Sequence, residues 1–209
     1  MKKFSLLSLY HPADGLLILY ALLLYPVSGM LPDWASFENG PIENAQVLLL
    51  LLCGGMCVWF ARHTLLSPAQ KIWLPSAGIF LILALRELSW GRVFFIRAYS
   101  EAGEPILISS SEMPFYTAIH ACVGFIAVLC LYFLVRFVPW KHIFKEIPFP
   151  WIHFLAIIIC IVLTTLGDHH SLFHTIRDQQ IEELAELLMY ALLGHTAWYY
   201  YLKLEGGEK

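Results

Sequence analysis

"IWLPSAGIFLILALRELSWG", residues 72–91, decides the fold. A helix that crosses the hydrocarbon of a bilayer needs ~20 mostly apolar residues, with ~17–25 usable, and residues 72–90 meet that need. The same stretch sets Arg86 beside Glu87 near its end, and Arg92 follows closely. A charged side chain at mid-bilayer costs ~2.5–3.5 kcal/mol on insertion scales and less near the ends. One segment therefore reads both as a membrane helix and as the start of a site.

Composition extends the first half of that reading. Of the 209 residues, 59% are hydrophobic and 14% charged, and the mean hydropathy is +0.67. Average soluble domains are ~45–50% apolar and ~25% charged. Six segments are long and apolar enough to span, at about 14–31, 45–61, 72–90, 116–138, 151–167 and 182–203. Unbroken runs of this kind exclude the alternating pattern of a membrane barrel. The fold expected is all-α, a polytopic transmembrane bundle of six spans forming a single domain over residues 1–209. Short linkers and the lack of a long polar stretch leave no room for a separate soluble domain.

Lysine and arginine placement orients the bundle. With the N-terminus in the cytoplasm, Lys2, Lys3, Arg62, Lys71, Arg136, Lys141, Lys145, Lys203 and Lys209 lie inside, while Arg92, Arg97 and Arg177 lie outside and Arg86 sits at the edge of its span. Nine against three places both termini in the cytoplasm of a bacterial inner membrane. The opening "MKKFSLLSLYHPADG" has the charge pattern of a signal peptide, but Asp14 interrupts its apolar run, so an uncleaved first helix is expected. A net charge of -3 makes no case for nucleic acid. Cys53, Cys57, Cys122, Cys130 and Cys160 all fall within spans, where free cysteine packs as a small hydrophobe.

The ionisable groups are layered. Glu43, Glu87, Asp168, Glu182, Glu183 and Glu186 all fall at span ends on the outer side, with Arg86, Arg92 and Arg177 at the same depth. At ~100° per residue, Glu182, Glu183 and Glu186 share a ~100° arc that Tyr190 continues. His195 falls on the opposite face and reads as a satisfied interhelical contact. Arg86 and Trp90 stand one turn apart, a spacing that rests the guanidinium on the indole, and Gly91 leaves space above Glu87. The surplus of carboxylates calls for raised pKa values, a bound cation or water, the conditions that make membrane-embedded charges functional candidates. The competing structural reading gives Glu43, Glu182 and Glu183 to first helical turns, favoured by the helix dipole, and makes Arg86 and Glu87 interhelical glue.

The segment "DHHSLFH", residues 168–174, offers a metal site if it is helical. His170 and His174 would then share a face, with zinc or another divalent cation as cofactor and Asp168 or a sixth-helix glutamate completing the set. The competing reading is a wet interfacial surface.

"ELSWG" at 87–91, "IENAQ" at 42–46 and "EELAE" at 182–186 resemble a family of uncharacterised bacterial multi-pass membrane proteins with a Glu-x-Ser-Trp-Gly segment and a Glu-Glu-x-x-Glu final helix. Members often carry glutamine after the glycine, where this chain has Arg92. The resemblance implies the multi-pass fold and brings no activity with it.

Three functions compete at this stage. The first is an enzyme acting on a membrane lipid or lipid-linked substrate, with Glu87, Glu183 or Glu186 as general acid or base and Arg86 and Arg92 holding an anion, in a pocket shared with Glu43, Trp90, Asp168, Glu182 and Tyr190. The second is a non-catalytic subunit or assembly factor that pairs its charged layer with another membrane protein. The third, a cation- or proton-coupled carrier, lacks polar residues in the inner half to finish a path.

Overall fold

The computed structural model describes residues 12–64, 68–169 and 172–206. Among them the chain is nearly all-α. Its helices are α1 (Pro12–Ser28), α2 (Pro41–His63), α3 (Trp73–Glu87), α4 (Tyr116–Phe137), α5 (Trp140–Glu146), α6 (Trp151–Asp168) and α7 (Ile176–Gly206). Each of the six apolar segments carries a helix, and the short α5 occupies the tryptophan- and lysine-rich linker. Three helical stretches are long and apolar enough to cross a membrane: Asp33–His63, α4 and α6.

Local chemistry sets the helix ends. Gly40 precedes α2 in an extended conformation and Pro41 occupies its first position, where a missing N–H costs nothing. The Glu43 carboxylate accepts the Asn39 backbone N–H, so the first turn of α2 is capped from within. α3 stops at Glu87, not at residue 90. Trp90 and Gly91 take positive φ of 58° and 96°, which turns the backbone left-handed and ends the helix in a short 3-10 segment over Ser89–Phe94. The expectation of an all-α chain needs a second correction. β1 (Ile96–Tyr99) and β2 (Pro105–Leu107) form an antiparallel hairpin between α3 and α4.

The helices fall into two compact units, one built from Met1–Leu31 and Phe149–Thr196, the other from Pro32–Pro148 and Ala197–Lys209. In the first unit, the Tyr20 hydroxyl donates to the Leu184 carbonyl at 2.9 Å and ties α1 to α7. α6 meets α7 at Gly167, where a Cβ would lie 2.7 Å from Glu182 Cβ. Leu24, Cys160, Ile181, Ala185 and Leu188 are buried there. The core of the second unit centres on fully buried Phe60, whose ring stacks on Tyr201 at 3.9 Å and meets Trp73 edge-on at 5.0 Å. Cys53 and Cys57 are buried in the same unit.

Candidate functional site

The residues singled out in the sequence divide between the two units. In the second unit Glu87, the last residue of α3, is buried, and the neighbouring Arg86 brings Nε to 3.1 Å from its Oε1. The helical spacing that would rest Arg86 on Trp90 is lost, because the helix ends between them. The Trp90 ring lies 5.5 Å from that of His120, which in turn packs on Tyr116 at 4.0 Å. Gly91 does not leave open space, since a Cβ there would come within 3.2 Å of Met113 Cε. Arg92 donates from Nε to the Ile108 carbonyl at 2.9 Å, holding the 3-10 turn to the segment after β2. It also faces Glu38, which accepts from the Ser89 side chain. Glu38 was not singled out in the sequence, because nothing there places it beside a residue more than fifty positions on. Glu43 serves as the local cap already described.

In the first unit the stripe residues lie on α7. Glu183, Glu186 and Tyr190 are buried, and Glu182 is partly so. Asp168 ends α6 and is exposed. Arg177 spreads its guanidinium over the rings of Tyr25, at 4.2 Å, and Phe173, at 5.3 Å, and donates to the Tyr25 carbonyl at 3.0 Å. It thus caps the C-terminal end of α1, where a cation is favoured by the helix dipole. Asp178, fully buried and passed over in the sequence, accepts the backbone N–H groups of Phe173 and His174.

That capping overturns the premise of the expected histidine site. Residues 172–175 are not helical, His174 has φ of 58°, and its side chain is exposed. The N–H groups of Phe173 and His174 turn to the Asp178 carboxylate instead of continuing a helix. His170 lies outside the described residues.

The structure converges other groups. Asp14 in the first turn of α1, His153 in the first turn of α6 and His195 on α7 place their ligand-capable atoms within 4.8 Å of one another. Asp14 Oδ1 lies 2.9 Å from His153 Nε2 and 3.3 Å from His195 Nδ1. The imidazole rings stand edge to face, with centroids 4.9 Å apart. All three side chains are close to fully buried, the most exposed at 12%. His195, expected to make a simple interhelical contact, belongs to a three-residue cluster. A signal was present in the sequence, since Asp14 and His153 each break an apolar helix near its start, but nothing linear pairs them.

Beside this cluster a cavity of about 100 Å³ is lined by Asp14 and His153 and by apolar residues including Ala21, Ala156, Leu188 and Leu192. A second cavity of about 360 Å³ shares Ala21, Ala156 and Leu188 with it and continues to Tyr25 and Phe173. Together they form an apolar trough along α1, α6 and α7 with the Asp14 cluster at one end. On α7 the trough residues Ile181, Leu188 and Leu192 face away from the arc of Glu183 and Glu186. Comparison with protein-family models, curated proteins and solved structures finds no match to this chain.

Proposed function

We propose that this chain is an integral protein of the bacterial inner membrane, crossing it six times with both termini in the cytoplasm, and that it binds a lipid or lipid-linked substrate through its first unit. The lysine and arginine bias supports the orientation. The observation that carries the lipid reading is the trough. It is apolar along its length, hollowed by Ala21 and Ala156, and it ends at a buried polar cluster. That is the form of a site for a long chain with a polar head: apolar walls with a few convergent polar groups. From Asp14 to Tyr25 the trough follows eleven residues of α1, about 16 Å at 1.5 Å per residue. The acid–base roles expected of Glu87, Glu183 and Glu186 and the anion contacts expected of Arg86 and Arg92 form no part of this reading, because Glu183 and Glu186 face away from the trough and Glu87, Arg86 and Arg92 belong to the other unit.

Native mass spectrometry of the protein extracted in mild detergent tests the lipid reading. A discrete lipid mass should remain bound to the wild type. Ala156→Phe, which fills the trough from α6, should lose it while keeping the wild-type melting profile. The same lipid held equally by Ala156→Phe would refute the reading. A stable protein partner recovered in place of lipid would favour the non-catalytic subunit.

A further inference from the structure

We propose that Asp14, His153 and His195 form a binding site for a divalent first-row transition metal, with zinc the leading ion. The inference concerns the cluster at the end of the trough, but it is carried by the ligand geometry, so it holds or fails separately from lipid binding. Three helices whose contributing residues are far apart in sequence each bring one donor atom to a common point. In a tetrahedral zinc site with bonds of ~2.0–2.1 Å, ligand atoms lie ~3.3 Å from one another. The distance from Asp14 Oδ1 to His195 Nδ1, 3.3 Å, equals such an edge, the 2.9 Å to His153 Nε2 is shorter than one, and all three donor atoms lie within 4.8 Å of one another. Two imidazoles and one carboxylate also form a donor set suited to zinc or iron(II). Calcium and magnesium prefer all-oxygen shells.

The competing reading is a carboxylate that simply accepts from histidine. One imidazole would meet that need, and His153 at 2.9 Å already does so. The second imidazole, brought from α7 to 3.3 Å from the same oxygen, completes a set of three donors, which a metal needs and a single hydrogen bond does not.

Three protein ligands leave a fourth position, as catalytic zinc sites do. The adjoining cavity, with Asp14 and His153 in its wall, has room for that ligand. A divalent ion with one carboxylate carries a net charge of +1, so hydroxide or an anionic group is the natural occupant. Along α7 the site lies twelve residues from Glu183, about 18 Å, so it is separate from the acidic stripe.

Cobalt(II) titrated into chelator-stripped protein in detergent tests the proposal. The wild type should bind one equivalent, show the strong visible absorption of four- or five-coordinate cobalt, and release it to added zinc. His153→Ala and His195→Ala should each weaken cobalt binding by at least ~100-fold, since even groups that only orient a ligand are worth ~10–100-fold. A wild type with intact near-UV circular dichroism and no such absorption would overturn the site. So would a folded His153→Ala/His195→Ala double variant with the wild-type spectrum. Should the variants fail to fold, the wild-type titration decides.

Discussion

Arg86 and Glu87 are neighbours in sequence that also meet through their side chains, although one is 45% exposed and the other 5%. The pair is therefore lopsided: removing the guanidinium leaves a buried anion, while removing the anion leaves a cation already in contact with solvent. Arg86→Ala should lower stability by about 1 kcal/mol, a figure reduced from that of a fully buried pair because Arg86 is well solvated. Glu87→Gln should cost less, and the double variant should recover part of the Arg86→Ala loss. Thermal melts of the four proteins in one detergent give the coupling; strict additivity would mean the pair contributes nothing. Single residues were the least legible part of the sequence. Glu43 could be read locally, because a cap involves residues four apart. Asp14, His153 and His195 could not, because their meeting depends on how α1, α6 and α7 pack.

Apolar runs announced the helices well, since their length alone sets where a chain can cross a bilayer. Their ends were read less well. α3 was carried three residues too far because Leu88, Ser89 and Trp90 are residue types compatible with a helix, and the positive φ of Ser89, Trp90 and Gly91 stops it. The hairpin was missed because its strands are short and every β1 residue is exposed, so no alternation marks them. Two predictions belong to elements. Gly167→Ala should destabilise the α6–α7 contact by about 1–3 kcal/mol, because the new methyl would lie 2.8 Å from the backbone carbonyl of Asp178 as well as against Glu182. Gly124→Ala in α4, where a Cβ meets nothing within 4 Å, should be neutral or slightly stabilising by comparison. After β2, the Ser109 N–H and hydroxyl, with Arg97 at 3.5 Å, hold the Glu112 carboxyl below its ordinary value. A depressed carboxyl contributes its stability above the ordinary carboxylate range and loses it as pH falls through the lowered value. Exchange protection of the Ser109 amide should therefore fall as pH drops through and below ~4, and Glu112→Gln should flatten that dependence.

At the scale of the molecule, orientation rests on where lysine and arginine lie, and reporter fusions read it directly. A fusion at Lys209 should report cytoplasm, and one within residues 101–112 should report the outer side. The opposite result at either point would overturn the proposed six-span topology. Membrane class was plain from composition, since no soluble core needs so much apolar sequence. The trough was not, because small residues such as Ala21 and Ala156 mark a hollow only when α1 and α6 stand side by side. The Asp14 cluster also has a history in time. The 42 residues that follow His153, up to and including His195, take about 2–8 s to synthesise at ~5–20 residues per second. During that interval a nascent chain holds two members of the cluster without the third. The assembled three-residue cluster therefore exists only after translation has passed His195, so its formation is a late event in the birth of the protein.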